Sequence, residues 1–193
     1  MNEFHIVNIQ DLILEIGQEK TSLLFQDFTS PKNPEIETFL RNKAIDFVRR
    51  KLAVTYIVLD SNGEIVAYFT LAHKAIEFSA DGMSQSTKKK IERYSKFNLG
   101  SNSYSVSAFL LAQFGKNNSY AKKKSLSGNK LMDFVHELIA AIQYMIGGGM
   151  LYLECEDNTF LLDFYQNEHN GFHLFGERIS DSGTRYKLLY KFL

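Results

Sequence analysis

Hydrophobic residues along the chain follow two different periods. The runs at 54–60 and 64–72 have the length and composition of strands, and Ser61-Asn62-Gly63 between them is a hairpin turn signal. Residues 4–9 begin with strand-like alternation, and 104–114 and 150–155 are apolar runs of the kind that buried strands need. Phe172 starts a further strand. The apolar pattern of residues 186–193 predicts a final strand, which either forms a dimer edge or closes the sheet.

Three other stretches carry apolar residues at three- and four-residue spacing and predict helices. The first has Asn33 as its cap and Pro34 at its first position, and it should run to about Leu52. The second has its apolar side at 131–145 and is stopped by the glycines at 147–149. The third follows Asn158 and carries Phe160, Leu161, Phe164 and Tyr165 on one face, and Asn170-Gly171 should end it.

The segment from about 73 to 102 is polar and interrupts the strand pattern. It predicts a helical insertion, with a helix from about Ser84 to Lys96, inside a single domain spanning 1–193. Lys88-Lys89-Lys90 within it is either a solvated helix face, which is the more common case, or a phosphate contact.

Composition narrows the class of protein. The 193 residues carry a formal net charge of zero, so no strong overall field favours nucleic acid or an anionic membrane. No run is long enough to cross a bilayer, the amino terminus has no signal-peptide pattern, and the single cysteine fits a reducing cytoplasm. Because Cys155 lies in a strand pattern, a small buried residue is expected there rather than a nucleophile.

The order of elements from 104 to 155 is strand, basic loop, helix, strand. The economical arrangement is a right-handed crossover between two parallel strands. The start of the helix offers converging backbone N–H groups and a favourable dipole to a pyrophosphate. Lysines at 122–124 add positive charge beside it, although they also fit an ordinary flexible surface loop.

The third helix and the strand after it resemble the last motif of the GNAT family of N-acetyltransferases. That motif has an asparagine, then an aromatic–tyrosine pair ending seven positions later, then Gly-Phe. Asn158, Phe164, Tyr165, Gly171 and Phe172 match it, with a spacer about two residues longer than usual.

The first helix and the hairpin extend the resemblance. The segment Asn33–Leu40 and the hairpin that ends in Gly63-Glu64-Ile65-Val66 are similar to one branch of the family, whose members include toxins that acetylate aminoacyl-tRNA. The resemblance implies a mixed, mostly antiparallel α/β sheet. In its centre a parallel strand pair is splayed apart, and helices cover both faces.

The function implied by the resemblance is acyl-CoA-dependent N-acetyl transfer, a reaction of EC class 2.3.1. Acetyl-CoA would be the co-substrate, no metal would be needed, and the acceptor would be a primary amine of a small molecule, a protein or aminoacyl-tRNA. The alternatives are the toxin-like reaction with an antitoxin partner, or a non-catalytic CoA-binding module. A homodimer is also compatible with the sequence.

The resemblance also assigns cofactor-binding residues. Backbone groups near Phe109, Leu110 and Leu111 would hold the pantetheine arm, and Asn158 would contact it or cap its helix, with Phe164 beside it. The acyl-CoA loop would comprise Lys123, Lys124, Ser125, Leu126, Ser127, Gly128 and Asn129. Of that loop's usual glycines only Gly128 remains.

Two residues are candidates for catalysis. Tyr165 matches the tyrosine that protonates the departing CoA thiolate in many family members. Glu154 is a carboxylate inside an apolar strand, where burial would suit it to accept a proton near neutral pH, but a structural role is an equal alternative. The five histidines show no metal-ligand spacing, so no metal site is expected.

Overall fold

The computed structural model describes residues 4–119 and 126–193, which form eight strands and seven helices in these ranges. The strands are β1 Phe4–Asn8, β2 Val54–Asp60, β3 Ile65–Ser79, β4 Phe97–Asn98, β5 Ser103–Lys116, β6 Met150–Glu156, β7 His173–Ile179 and β8 Arg185–Phe192. The helices are α1 Ile9–Ile16, α2 Gln18–Phe25, α3 Pro34–Asn42, α4 Ala44–Arg49, α5 Gln85–Ile91, α6 Gly128–Ile146 and α7 Thr159–Gln166.

The strands form one mixed sheet in the order β1-β2-β3-β5-β6-β8-β7, and β4 pairs with β5 outside this path. Strands β5 and β6 are parallel, whereas β1–β2, β2–β3, β4–β5, β6–β8 and β7–β8 are antiparallel. The parallel pair is in register at 108–110 and 150–152. The predicted mixed α/β fold with one central parallel pair is thus confirmed, and the separation of the two strands beyond these pairs stays a prediction.

The chain divides into two compact units, and β3, β5 and α6 contribute residues to both. The first unit holds the residues up to Ala72 and Leu111–His136, and Phe28, Leu40, Ile57 and other residues of α1–α4 and β1–β3 form its core. The second holds His73–Leu110 and Glu137–Leu193. Its core is largely aromatic and contains Phe78, Ile91, Tyr104, Val106, Ala108, Met150, Tyr152 and Tyr190. The single domain predicted for the chain stays a prediction.

Side-chain caps explain where several helices begin. The side chains of Asn8, Asn33 and Ser84 each accept a hydrogen bond from a backbone amide in the first turn of α1, α3 and α5. Asn33 and Pro34 therefore start α3 as predicted. The predicted start of the insertion helix at Ser84 is also confirmed, but α5 ends at Ile91, well before Lys96.

Three predicted boundaries were wrong. The helix expected from Pro34 to Leu52 is two helices, because Lys43 leaves helical geometry with φ −121°; the break lets Leu40 and Val48 enter the same core. Strand β3 continues past 72 to Ser79, and its last five residues, from Ala75 to Ser79, alternate between exposed and inward-facing positions. Helix α7 ends at Gln166 rather than at Asn170.

The last strand lies inside the sheet, not at its edge. Strand β8 pairs with β6 along one side and with β7 along the other, and β7 is the terminal strand. The alternative that 186–193 closes the sheet is therefore the correct one. In the described part of the chain, no helix is both long enough and apolar enough to span a membrane.

Candidate active site

Strand β6 presents its side chains alternately to two faces of the sheet in the second unit. Leu151, Leu153 and Cys155 are buried on one face, and Cys155 lies close enough to Tyr165 of α7 to influence its ionisation. Tyr152 points to the other face, into the aromatic core that also contains Ile91 of α5. Helices thus cover both faces of β6.

The candidate acid Tyr165 is 7% exposed and lies on α7. Its ring contacts Phe164 and Phe172 edge-on, with centroids 5.0 and 5.9 Å away, and its carbonyl accepts a hydrogen bond from the amide of Phe172. Burial, and secondarily Cys155, raises the pKa of the Tyr165 phenol well above its ordinary value. The phenol is therefore fully protonated at neutral pH, the state that a proton donor requires.

The neighbouring thiol of Cys155 is buried and chemically quiet. Burial, reinforced by the nearby charges of Asp157 and Glu156, raises the pKa of Cys155 to about 11. A thiol with such a pKa is almost entirely protonated at neutral pH and is a poor nucleophile. This geometry agrees with the small buried residue that the strand pattern predicts.

The start of α7 has the predicted cap. Asn158 Oδ1 accepts a hydrogen bond from the amide of Phe160 at 2.9 Å, so its capping role is confirmed, whereas contact with a pantetheine arm stays a prediction. At the other end, the side-chain amide of Asn170 donates to the carbonyl of Phe164 at 2.6 Å. Gly171, with φ +68°, then turns the chain towards β7.

The candidate base Glu154 is engaged in an ion pair. Its Oε2 accepts a hydrogen bond from Nε of Arg178 on β7 at 2.6 Å and lies 2.5 Å from a terminal nitrogen of the same guanidinium in an ion pair. The guanidinium also lies over the ring of Tyr186, 4.6 Å from its centroid. Of the two roles that the sequence leaves open for Glu154, the structure supplies the partner that a structural carboxylate needs. Its side chain nevertheless remains 29% exposed.

Glu154 and Tyr165 are not brought together on one side of the sheet. Glu154 is next to Cys155 in β6 and therefore points to the opposite face, whereas Tyr165 lies on the Cys155 side. The two candidate catalytic groups are thus separated by the strand itself. A reaction that uses both needs its substrates to meet at the edge of β6.

The predicted pantetheine-binding residues occupy β5. Phe109 and Leu111 are each only 3% exposed, so their side chains serve packing and only their backbone groups are suited to bind a ligand. Leu110 is half-buried and lies opposite Tyr152 in the parallel ladder. Phe109 packs edge-on against His73 and lies directly over Gly148.

The predicted acyl-CoA loop is described only from Leu126 onward, and Lys123, Lys124 and Ser125 lie outside the described residues. Leu126 is buried, and its carbonyl accepts a hydrogen bond from Nζ of Lys116 at 2.7 Å.

Helix α6 begins directly after Leu126. Ser127 caps it by accepting from the amide of Lys130 at 3.1 Å, while Gly128 is half-buried and Asn129 is exposed. The first turn of α6 follows the loop directly, as an anion site requires.

Sequence reasoning missed two polar residues with many contacts. Arg178 becomes the partner of Glu154 only because β8 inserts between β6 and β7, an order that the sequence does not reveal. Asn117 is 1% exposed and bonds both to the backbone and to the side chain of Thr29 and to the carbonyl of Ile65. An asparagine directly after an apolar strand is its one signal. Among the described residues no cluster of His, Cys, Asp and Glu could hold a metal ion.

Comparison with known proteins gives a likeness of fold. No protein-family model matches the chain, and no curated protein matches it. Similar solved structures include a tyrosine-to-phenylalanine mutant of KacT, with a TM-score of 0.67 and 16% identity over 99% of this chain and 95% of that one. A structure of AtaT complexed with acetyl-methionyl-tRNAfMet has a TM-score of 0.65 and 13% identity over 95% and 93%.

A third structure is a mutant AtaT toxin bound to the carboxyl terminus of the antitoxin AtaR and to acetyl-CoA. It has a TM-score of 0.63 and 14% identity, covering 99% of this chain and 94% of that one. At these identities, the comparison shows that the chain has the fold of these proteins along essentially its whole length.

Proposed function

We propose that this protein is an acetyl-CoA-dependent N-acetyltransferase that acts on a primary amine. The observation that carries the proposal is Tyr165, a protonated phenol held by α7 against β6 of the parallel pair, in a chain that has the fold of AtaT and KacT. In this proposal, backbone groups of β5 near Leu110 hold the pantetheine arm of acetyl-CoA. Independently of β5, the first turn of α6 presents the backbone N–H groups of a helix start, which are suited to phosphates.

In this proposal each residue performs one step of the transfer. The amine nitrogen attacks the thioester carbonyl carbon, so a C–N bond forms and the C–S bond breaks. The hydroxyl of Tyr165 gives its proton to the departing thiolate sulfur, and the proton that the nitrogen loses as the amide forms restores the phenol. Backbone N–H groups of β5 near Leu110 and Leu111 stabilise the negative charge that develops on the carbonyl oxygen, each contributing about 3 kcal/mol. The amine must first lose its own proton, because an alkylammonium cannot attack.

We propose aminoacyl-tRNA as the leading candidate for the acceptor. The supporting observation is that AtaT, with the same fold along nearly its whole length, has been solved with acetyl-methionyl-tRNAfMet. Lys89 and Lys90 on α5 are exposed and could contact the phosphate backbone, although the chain as a whole has no net charge. An antitoxin partner and a cytoplasmic location belong to the same proposal, and the AtaT–AtaR complex supports the former.

Two measurements on the purified protein test the proposal. Acetyl-CoA at about 100 times its dissociation constant should stabilise the fold by about 2.7 kcal/mol, which a thermal shift detects. Transfer of labelled acetyl should then be followed to methionyl-tRNA, to uncharged tRNA as the matched control, and to a lysine-containing peptide. Stabilisation without transfer to any amine would indicate a non-catalytic CoA-binding module. Absence of stabilisation by acetyl-CoA and by CoA would refute the proposal.

A charge reversal separates the two acceptor classes. Replacing Lys88, Lys89 and Lys90 by glutamate should weaken transfer to tRNA and leave transfer to the peptide unchanged. The effect should shrink as salt is raised, because phosphate contacts release counterions. If tRNA acetylation is the same in both proteins at low salt, the three lysines do not contact the tRNA.

A further inference from the structure

We propose that Lys187 is a positioning residue for the candidate proton donor Tyr165. Lys187 holds the turn at 156–158, from which helix α7 starts, against strand β8. The inference rests on the proposed acetyl transfer and adds to it a residue that no motif of the sequence indicated. In this role Lys187 acts through α7 and does not itself touch the reacting atoms.

Lys187 is the middle residue of a row that crosses three neighbouring strands. It lies directly opposite Cys155 of β6 on one side and Glu177 of β7 on the other. Directly opposite residues of an antiparallel pair point to the same face, so the side chain of Lys187 lies on the Cys155 face of the sheet. Helix α7 carries Tyr165 on this same face.

The ammonium group of Lys187 joins two carboxylates. Its Nζ lies 2.7 Å from Oε2 of Glu177 and 3.4 Å from Oδ2 of Asp157, which belongs to the turn before α7. The side chain of Lys187 is only 17% exposed, so water screens these contacts less than it screens an ordinary surface ion pair. The hydrogen bond to Glu177, together with the charge of Asp157, raises the pKa of Lys187, which therefore keeps its charge at neutral pH.

The turn before α7 is also attached to β8 through its backbone. The amide of Asp157 donates to the carbonyl of Arg185 at 3.0 Å, and Nη1 of Arg185 lies 4.0 Å from Oδ2 of Asp157. The next residue, Asn158, caps the helix by accepting from the amide of Phe160. The position of Asp157 against β8 therefore determines where the first turn of α7 begins.

The far end of α7 is held by separate contacts. The carbonyls of Phe164 and Tyr165 accept hydrogen bonds from the side chain of Asn170 at 2.6 Å and from the amide of Phe172 at 3.0 Å. Because α7 has only eight residues, a shift of its start also moves Tyr165. A catalytic group needs such a fixed position, since a misplacement of about 1 Å can lower a rate about 100-fold.

Substitutions on both sides of the contact test the positioning role. Asp157→Asn and Lys187→Met should each lower kcat about tenfold, measured with methionyl-tRNA and with a lysine-containing peptide, and leave the dissociation constant for acetyl-CoA unchanged. Partly exposed ion pairs contribute little to stability, so thermal unfolding should show both variants folded at the assay temperature. Lys187→Arg keeps the positive charge and should recover part of the lost kcat.

The matched control lies on α7 itself. Asp163 is exposed on this helix, so Asp163→Asn makes the same chemical change as Asp157→Asn away from β8. This variant should keep the kcat of the wild-type protein. A loss in Asp157→Asn but not in Asp163→Asn assigns the effect to the turn at 156–158 and not to the charge of the helix.

A double substitution separates positioning from a general weakening of the fold. In a protein that already carries Tyr165→Phe, Asp157→Asn should lower kcat no further, because the group that it positions is absent. If the effect were only structural, Asp157→Asn would lower kcat by the same factor with and without the phenol. Equal factors in the two backgrounds would therefore overturn the inference.

Failure of the inference and failure of the proposed function give different results. If the wild-type protein acetylates a probe and Tyr165→Phe slows it, but Asp157→Asn and Lys187→Met keep the wild-type kcat, Lys187 does not position the donor while the proposed function stands. If the wild-type protein acetylates neither probe, the proposed function fails and the role of Lys187 fails with it.

Discussion

At the scale of single residues, burial controls the chemistry available on the Cys155 face of β6. The phenol of Tyr165 and the thiol of Cys155 are both removed from water, and burial raises the pKa of each. Neither group ionises at neutral pH, so the thiol is not a nucleophile and the phenol has a proton to give. Burial thus lowers the reactivity of the thiol and leaves the phenol in its protonated form.

Replacing Tyr165 by phenylalanine keeps the packed ring and deletes only the hydroxyl group. We expect kcat to fall about 100-fold, the usual contribution of a positioned proton donor, with an unchanged dissociation constant for acetyl-CoA. Steady-state kinetics and calorimetry measure the two quantities. Tyr144→Phe is the control, because Tyr144 is 93% exposed. Wild-type kcat in Tyr165→Phe would exclude the phenol from catalysis.

Asn117 is the residue whose polar contacts should matter most for stability in the first unit. Its side-chain amide donates to the carbonyl of Ile65 at 2.9 Å, and its Oδ1 accepts from the amides of Thr29 and Ser119, both at 3.1 Å. Asn117→Ala leaves these buried groups without partners and should lower the free energy of unfolding by about 3 kcal/mol.

Chemical denaturation measures this loss against Asn118→Ala. The side chain of Asn118 is only partly buried and, within 4–119 and 126–193, makes one hydrogen bond, to the carbonyl of Lys116 at 3.0 Å. Its removal should cost about 1 kcal/mol. Similar losses in the two variants would contradict the role given to Asn117.

At the scale of elements, glycines determine how α6 passes into β6. Gly147 and Gly148 have φ of +74° and +120°, conformations that other residues rarely adopt. A Cβ on Gly148 would lie 2.5 Å from the ring of Phe109, whereas one on Gly147 would meet open space. Gly147 and Gly148 therefore both need a positive φ, but only Gly147 has space for a Cβ atom.

This difference predicts unequal effects of the same substitution. Gly147→Ala should cost about 1 kcal/mol, since only backbone strain opposes it. Gly148→Ala should cost at least 1–3 kcal/mol more, because the ring of Phe109 must move within a packed core. Unfolding in urea compares them, and equal midpoints for the two variants would show that Phe109 yields without cost.

Local signals were sufficient to predict most elements but not all their ends. Helix starts are fixed by cap residues whose side chains accept hydrogen bonds from backbone amides two or three positions later, as at Asn33, Ser84 and Asn158. Because both partners are close in sequence, the residue types alone predict these starts. The break at Lys43 depends instead on which faces must reach a common core, and at the end of α7 the carbonyls of Phe164 and Tyr165 accept hydrogen bonds from Asn170 and Phe172. Those requirements arise only in the folded chain.

The sequence also indicated one part of the candidate site and not the other. The motif around Tyr165 indicated a buried phenol on a helix, and the structure has one. The partner of Glu154 could not be inferred, because Arg178 is 24 residues away and meets it only through the strand order β6-β8-β7. Long-range pairing of this kind leaves no periodic trace in the sequence.

At the scale of the whole molecule, buried acids that keep their protons make the fold sensitive to alkali. The pKa of Cys155 is raised from 9.0 to about 11, so the folded protein retains a proton that the unfolded chain releases. The resulting stability is complete below pH 9 and is lost as pH rises to 11. The raised pKa values of Tyr68 and Tyr165 extend the decline to still higher pH.

Urea unfolding between pH 8 and pH 11 measures this dependence. The free energy of unfolding should decrease with pH in the wild-type protein and decrease less steeply in Cys155→Ala, whatever the cost of that substitution at pH 7. The slope, not the absolute stability, is the quantity to compare. Identical slopes for the two proteins would mean that the thiol ionises equally in the folded and unfolded states.

The insertion of β8 between β6 and β7 also has a consequence for synthesis. While a ribosome is making the chain, β6 emerges about thirty residues before the strand that pairs with it from Met150 to Glu156. Until then Glu154 has neither its ladder neighbour nor Arg178 beside it, and β7 has no partner to hold it. A chain synthesised only as far as β7 therefore lacks the strand that pairs with β6 on this side, and the proposed activity requires synthesis to continue through β8.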